Sequence, residues 1–279
     1  MKIWSTIILL VVSINAHAKK PASTFVYDET SDVVISASEA NVTRPIASLT
    51  KVMTAMVALE YDSNMNREMK IAGGSRLPAG NNLRGEVFTA MLVRSDNQAA
   101  EFLAADYPGG RKAFIKAMNK KAEEIGMINT RFVDPSGLSS SNTSTVGEVA
   151  IMIRVAALQP ILSDTSILKH VEIKKKKYKV ILDNTNKMLL AAFDEIKFSK
   201  TGFTNPAGWS VGMVIEKHGK RFVVVVLGAN DKNHRYDVAK KLIEKHFSVI
   251  EQDIEQEKIH QEQSWWKKFL DWAVPNGNI

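Results

Sequence analysis

Short apolar runs broken by polar turns mark both ends of the chain, and longer runs with helical spacing lie between them. Phe25-Val26-Tyr27 and Val33-Val34-Ile35-Ser36 flank the polar segment from Asp28 to Asp32, a pattern that predicts an opening hairpin. Residues 47–60 follow Pro45 and carry only two charges, Lys51 and Glu60. A helix that is apolar nearly all round is a buried one. Residues 110–125 place Phe114, Met118 and Ile125 at helical spacing, with Gly126 as the C-terminal cap. Thr145 and Glu148 have the spacing of a capping box, so another helix is expected to start there and run on through Ile151, Ile153 and Val155. Residues 211–228 read as a second hairpin turning at His218-Gly219. In its second strand, Val223 to Leu227 shows no polar alternation, which predicts cover on both faces. Hairpins at both ends with helices between them predict a single α+β unit with an antiparallel sheet.

Composition changes this picture little, but the N-terminus adds location. The chain has 279 residues, 45% hydrophobic, enough for one large domain with a proper core. Its net charge of +7 favours anionic surroundings, whether lipid headgroups, cell-wall polymers or nucleic acid. Lys2, the apolar run Ile7 to Val12, and Ala16-His17-Ala18 together have the form of a cleaved signal peptide over residues 1–18. The apolar run is too short for the roughly 20 residues of a membrane span. Export makes a periplasmic location the expectation and removes nucleic acid as a partner. With no cysteine, thiolate nucleophiles and thiolate metal sites are excluded. The six histidines are scattered without a zinc-hydrolase motif, so neither a metal nor another cofactor is expected. The basic run Lys174 to Lys177 with Lys179 reads as a solvated strand or loop.

Residues 19–248 are assigned to the catalytic domain and 249–279 to a polar linker followed by an amphipathic helix. In that helix Trp265, Trp266, Phe269, Leu270 and Trp272 fill one arc, with Lys267, Lys268 and Asp271 opposite. Tryptophans beside lysines suit an interfacial helix, so residues 264–274 are a candidate peripheral membrane contact. The alternative is a helix docked on the protein's own surface.

Three short motifs carry the chemistry. Ser48-Leu49-Thr50-Lys51 opens the buried helix, where positions three apart share a face and the lysine reaches the serine hydroxyl. Burial pushes that lysine toward its neutral, basic form, which gives a nucleophile and its base within one turn. The positive end of the helix is expected to face a developing oxyanion. Ser95-Asp96-Asn97 lies between two apolar segments, and Lys200-Thr201-Gly202 stands just before the last hairpin. Lys200 is expected to supply fixed positive charge, Thr201 a hydroxyl, and Gly202 room for a substrate backbone along the strand edge. Each motif alone is weak, since a lone SDN is commonly a helix cap. Their order, in an exported chain, makes them a set.

With these motifs the sequence resembles the D-alanyl-D-alanine carboxypeptidase family of low-molecular-mass penicillin-binding proteins, over about residues 24 to 248. RPIASLTKVMTAMVALE from Arg44, YPGGRKAFIKAMNKKA from Tyr107, NTRFVDPSGLS from Asn129 and KTGFTNPAG from Lys200 carry the resemblance, nearest the penicillin-binding protein 7 subgroup of DD-endopeptidases. The resemblance implies a penicillin-recognising, β-lactamase-like fold, with an antiparallel sheet flanked by helices plus a helical lobe. It implies peptidoglycan stem peptides as substrate and β-lactams as covalent inhibitors. Ser48 would attack the carbonyl of the penultimate D-alanine, Lys51 would take its proton, and Ser95 would relay a proton to the leaving amine. Asn97 would hold the substrate amide, Lys200 and Thr201 its carboxylate end, and the backbone N–H groups of Ser48 and Phe203 the oxyanion. Arg235, in Asn233-His234-Arg235, stands where family carboxypeptidases place a basic residue for the terminal carboxylate. The other reading of Arg235 is an exposed side chain at a helix start. Endopeptidase and carboxypeptidase activity are both open at this stage, and so is a non-catalytic penicillin-sensing or wall-binding role. A β-lactamase is not supported, because none of Glu101, Glu123, Glu124, Glu148, Glu172 or Glu195 has the context of a deacylating glutamate.

Overall fold

The computed structural model of the protein describes residues 21–175, 179–191, 194–217 and 219–273; the expected leader and His218 lie outside them. In chain order the elements begin with β1 (Ser23–Asp28), β2 (Val33–Ser38), β3 (Arg44–Pro45), a 3-10 turn (Ala47–Leu49) and α1 (Thr50–Tyr61). Next come β4 (Glu68–Ile71), β5 (Gly80–Leu83), α2 (Arg84–Val93), α3 (Asn97–Ala105), α4 (Gly110–Glu124), β6 (Thr143–Ser144), α5 (Val146–Ala157) and α6 (Pro160–Ser166). The chain closes with β7 (His170–Lys174), β8 (Lys179–Asp183), α7 (Lys187–Leu190), β9 (Ile196–Thr204), β10 (Gly208–Lys217), β11 (Lys220–Ala229) and α8 (His234–Ala273).

Five antiparallel strands form the main sheet, in the order β2-β1-β11-β10-β9. The opening hairpin and the closing strands therefore meet, with Phe25 opposite Val225. Val223 to Leu227 is fully buried, as the missing polar alternation predicts. The structure supplies the reason. Val223, Val225 and Leu227 join the large core beneath α1 and α5, whereas Val224 and Val226 join a second core beneath α8 with Tyr236, Ala239 and Ile243. Helix α5 lies close against β10 because Gly212 has no side chain. A Cβ there would come within 2.9 Å of Ile153. The helices α1 to α4 form the lobe beside the sheet, and the cleft between lobe and strand β9 holds the three motifs.

Three local expectations change. Thr145 does cap α5 by accepting the Glu148 N–H at 3.3 Å. The reciprocal half of the box is absent, because the Glu148 carboxylate instead accepts from Asn129 N, Asn129 Nδ2 and Thr130 Oγ1 at 2.5 to 2.9 Å. Second, the motif serine does not sit in the first α-helical turn. Ser48 lies in the 3-10 turn that precedes it. Third, no break separates the last domain helix from the tail. Helix α8 runs for 40 residues, through the expected polar linker. Residues 234–273 contain neither glycine nor proline and are rich in Glu, Gln and Lys, so the polar composition continues the helix rather than making a linker.

One buried charge fixes where α1 ends. Arg84 is fully buried at the start of α2. Its guanidinium donates to Ala58 O at 2.6 Å, to Asp62 O at 3.0 Å and to the Asp106 carboxylate at 3.1 Å. The C-terminus of α1, the start of α2 and the end of α3 are thus joined at one point, and the two catalytic helices keep their spacing. Replacing Arg84 with Met removes that junction and leaves Asp106 without its buried partner. We expect Arg84→Met to lower the unfolding free energy in urea by about 3 kcal/mol at unchanged denaturant slope. An unchanged midpoint would show that the junction contributes nothing.

Candidate active site

Two strained turns bring the hydroxyls of Ser48 and Ser95 into the cleft. Ala47, immediately before Ser48, has φ +47°, and Ser95 itself has φ +63°. Neither is glycine, so each conformation costs about 1 kcal/mol or more and is held by its surroundings. At Ser95 the holding group is Asp96, which caps α3 by accepting the Ala99 N–H at 3.1 Å. Its second oxygen accepts from Ser75 Oγ at 2.8 Å and Arg76 N at 2.5 Å. The middle residue of the motif is therefore a helix cap, and its two neighbours face the cleft because the cap turns the chain there.

Lys51 is completely buried one turn after Ser48. Its Nζ lies 3.0 Å from Ser48 Oγ and donates to Asn97 Oδ1 at 2.7 Å and to the backbone carbonyl of Ser136 at 2.5 Å. Burial is the largest influence on the amine and pulls it down; Asp134, Asp96 and Glu101 oppose this only in part, leaving its pKa at about 7. When neutral, the amine keeps two N–H bonds on the two carbonyl oxygens and directs its lone pair at Ser48 Oγ. That is the geometry of a general base.

Ser136 and Asp134 were not singled out from the sequence. The Asp134 carboxylate accepts from Ser136 N, Gly137 N and Ser139 N at 2.6 to 2.8 Å, and so clamps the loop that presents the Ser136 carbonyl. Burial works to raise its pKa, but the N–H bonds, that of Ser139 first, outweigh this and hold the carboxyl below its usual range. Gly137 passes against the Ser48 turn, where a Cβ would fall 1.9 Å from Ala47 O. The segment Asp134-Pro135-Ser136-Gly137 is itself a turn signal, so turn chemistry could have marked this loop.

Strand β9 forms the other wall. Lys200 is buried and donates from Nζ to Ser95 Oγ and to Thr201 O, both at 2.9 Å. Its charge is not fixed in the sense expected from the sequence. Burial first, then the neighbouring cations Lys51 and Arg235, push its pKa well below the usual lysine range, so an anion in the cleft would favour the ammonium form. Thr201 Oγ1 donates to Thr185 Oγ1 at 2.7 Å. Gly202 makes room for the protein's own backbone rather than for substrate: a Cβ would lie 3.1 Å from Ile46 O and 3.2 Å from Ser48 N. Phe203 is partly exposed and its ring stacks on Trp209 at 3.9 Å between centroids.

Arg235 starts α8 but is only 2% exposed, which removes the reading of an exposed side chain. It donates to Gly202 O at 3.3 Å, Ser210 O at 3.2 Å and Tyr236 Oη at 2.7 Å, beneath the Trp209 ring. Much of the guanidinium is thus engaged by the protein, so it offers charge more than a free two-pronged contact. Ser48, Ser95, Thr201, Phe203 and Arg235 share one cavity of about 400 Å³, which continues to Asn184, Lys187 and Leu190. A larger cavity, about 560 Å³, lies between the β1–β2 hairpin and α5 and touches none of the motif residues. Size does not identify the site; the convergence of the three motifs does.

Comparison with known proteins agrees with this geometry. Residues 11–231 match the family model described as D-alanyl-D-alanine carboxypeptidase. The chain is 34% identical to a D-alanyl-D-alanine endopeptidase of Escherichia coli over 232 residues, covering 79% of this chain and 75% of that protein. It is 28% identical to a D-alanyl-D-alanine carboxypeptidase of Bacillus subtilis, covering 74% of this chain and 56% of that protein. Among solved structures, penicillin-binding protein D2 of Listeria monocytogenes in its ampicillin-bound form superposes with a TM-score of 0.72 at 29% identity, covering 81% of this chain and 96% of that one.

The Lys51 environment fixes the sign of a pH dependence. The amine accepts a proton only when neutral, and the neutral form predominates above its pKa. With a pKa of about 7, acylation of Ser48 by an active-site-directed ester should fall about tenfold per pH unit below 7 and level off above it. Stopped-flow acylation rates that stay flat between roughly pH 5 and 9 would exclude Lys51 as the base.

Proposed function

The chain belongs to the D-alanyl-D-alanine carboxypeptidase family and is a serine DD-peptidase, and from that premise we propose that it opens D-alanyl cross-links between peptidoglycan stem peptides through an acyl-enzyme on Ser48. The observation that carries this reading is the placement of the Lys51 amine 3.0 Å from Ser48 Oγ, with Asn97 and Ser136 holding its other hydrogens. Ser48 Oγ attacks the carbonyl of the D-alanine that forms the cross-link while its proton passes to Lys51. The backbone N–H groups of Ser48 and Phe203 face the developing oxyanion. Ser95, bonded to Lys200, relays to the leaving amine the proton that Lys51 took from Ser48, so that Lys51 is neutral and Ser95 a hydroxyl again once the peptide bond has broken. Water then cleaves the ester with Lys51 again taking the proton, which frees the acid and restores the Ser48 hydroxyl. A β-lactam would enter the same first step and remain on Ser48.

Two observations favour endopeptidase action. Relatives at 34 to 35% identity are endopeptidases, against 28% for the B. subtilis carboxypeptidase. The cavity also runs past Arg235 to Asn184, Lys187 and Leu190, which leaves room for a leaving group larger than one D-alanine. Carboxypeptidase activity is the second reading, because the buried Arg235 brings a permanent positive charge to the wall of that cavity. The protein acts in the periplasm after loss of residues 1–18, and the end of α8 rests on the membrane surface.

Mass spectrometry of a cross-linked muropeptide dimer and a free pentapeptide, each incubated with the mature protein, separates the two activities. We expect the dimer to fall to monomers while the pentapeptide persists. Loss of the terminal alanine with the dimer intact would assign a carboxypeptidase instead. Ser48→Ala should abolish both turnover and covalent labelling by a fluorescent penicillin, and labelling that survives would place the nucleophile elsewhere. Removing residues 263–279 should shift the protein from the membrane to the soluble fraction. Unchanged fractionation would rule out the anchor.

A further inference from the structure

Ser95, Asp96 and Asn97 also wall a second cavity, about 530 Å³, which shares only Arg94 and Ser95 with the cavity that holds Thr201 and Arg235. Its other walls are the loop from Gly74 to Arg76, Gln98 and Leu138. Two guanidinium groups stand here, Arg76 and Arg94, both exposed. Neither side chain has an ion-pair or hydrogen-bond partner among the described residues. The nearest acid in the wall, Asp96, is committed elsewhere: its oxygens accept from Ser75 Oγ, Arg76 N and Ala99 N. The same bonds fix the backbone of the Arg76 loop against α3. Across the cavity, Leu138 is 63% exposed although Asp134 clamps the backbone N–H groups on both sides of it, those of Gly137 and Ser139. An apolar side chain held out into water by a braced loop is placed for contact with a ligand.

We infer that this cavity receives the acyl-donor half of the substrate, and that Arg76 and Arg94 bind carboxylates which that half carries. The inference rests on the DD-peptidase reading above. In that reading the Lys200, Thr201 and Arg235 arm takes the leaving end, so the chain upstream of the scissile bond leaves the cleft past Asn97, into the second cavity. Stem peptides carry free carboxylates upstream of the terminal alanines, on the γ-linked glutamate and on the diamino acid. A guanidinium is the side chain best matched to a carboxylate, and two of them without internal partners need no rearrangement to accept one. Leu138 covers the apolar stretch between the charged groups. The consequence is discrimination: a stem peptide whose carboxylates are amidated loses its partners at Arg76 and Arg94.

Isothermal titration of the mature protein with two tetrapeptides tests this: L-alanyl-γ-D-glutamyl-meso-diaminopimelyl-D-alanine, and the same peptide amidated at the glutamate and at the free diaminopimelate carboxyl. At low ionic strength the acid form should bind about tenfold tighter, and that ratio should shrink as salt rises. In the double variant Arg76→Gln, Arg94→Gln, the ratio should fall to about one through loss of affinity for the acid form alone. Equal affinities in the wild type, binding of neither peptide, or a tenfold preference that survives the double substitution would overturn the inference. Cleavage of the cross-linked dimer reads out the proposed activity separately. A protein that cuts the dimer yet ignores amidation loses only this inference, and one that prefers the acid peptide yet cuts nothing loses only the activity.

Discussion

The structure depends on keeping one lysine dry. Lys51 has no exposed surface, and an amine in that position must either be neutral or be fully bonded. The fold provides for both states. Two carbonyl oxygens from distant segments, Asn97 and Ser136, accept two of its hydrogens and leave the third direction to Ser48. Each of these partners is then braced in turn: Asn97 by the Asp96 cap on α3, Ser136 by the Asp134 clamp, and Ser48 by the close passage of Gly137 and Gly202 against its turn. The helical lobe and the loop after α4 supply the partners of this amine, and the edge strand β9 closes on the Ser48 turn beside it.

Around this amine the buried basic groups are gathered at the cleft. Lys51, Lys200 and Arg235 lie buried within one region, and Lys51 and Arg235 both depress the pKa of Lys200. Among the described residues no acidic side chain is paired with Lys200; its partners are a hydroxyl and a carbonyl. A ligand that brings a carboxylate favours the ammonium form of Lys200, so binding of an anion is coupled to proton uptake in the cleft. The cleft also holds backbone strain, at Ala47 and Ser95, whose left-handed conformations persist only because neighbouring hydrogen bonds over-determine them. Backbone strain of this kind also occurs at Asp32 and Glu39, at the two ends of β2, whereas the valines of β11 pack on both faces without it.

The elements were largely legible in the sequence because they rest on local pattern. The apolar run at Val223 to Leu227, the near-uncharged helix after Pro45 and the amphipathic repeat at 110–125 each reflect periodicity that burial imposes on neighbouring residues. The misreadings occurred where a side chain had two possible partners. Glu148 has the spacing to complete a capping box, yet it bonds Asn129 and Thr130, residues that only the folded chain brings within reach. Gly202 is a glycine in a strand in either case, but whether it makes room for substrate or for the Ser48 turn depends on what packs against it. The polar start of residues 249–279 suggests a linker, yet its helix-forming residues continue α8 without interruption.

By itself, then, the sequence determined the family, the α+β architecture and the three motifs, because residue identity and order along the chain are enough to specify each of them. The tertiary structure decided what those residues experience. That Lys51 is dry, that Lys200 is pressed toward neutrality, that Arg235 is buried beneath Trp209 rather than exposed, and that Asp134 and Ser136 belong to the site at all are consequences of segments up to 105 positions apart meeting in one cleft. Burial and the proximity of charges are properties of the assembled volume, and no local pattern encodes them.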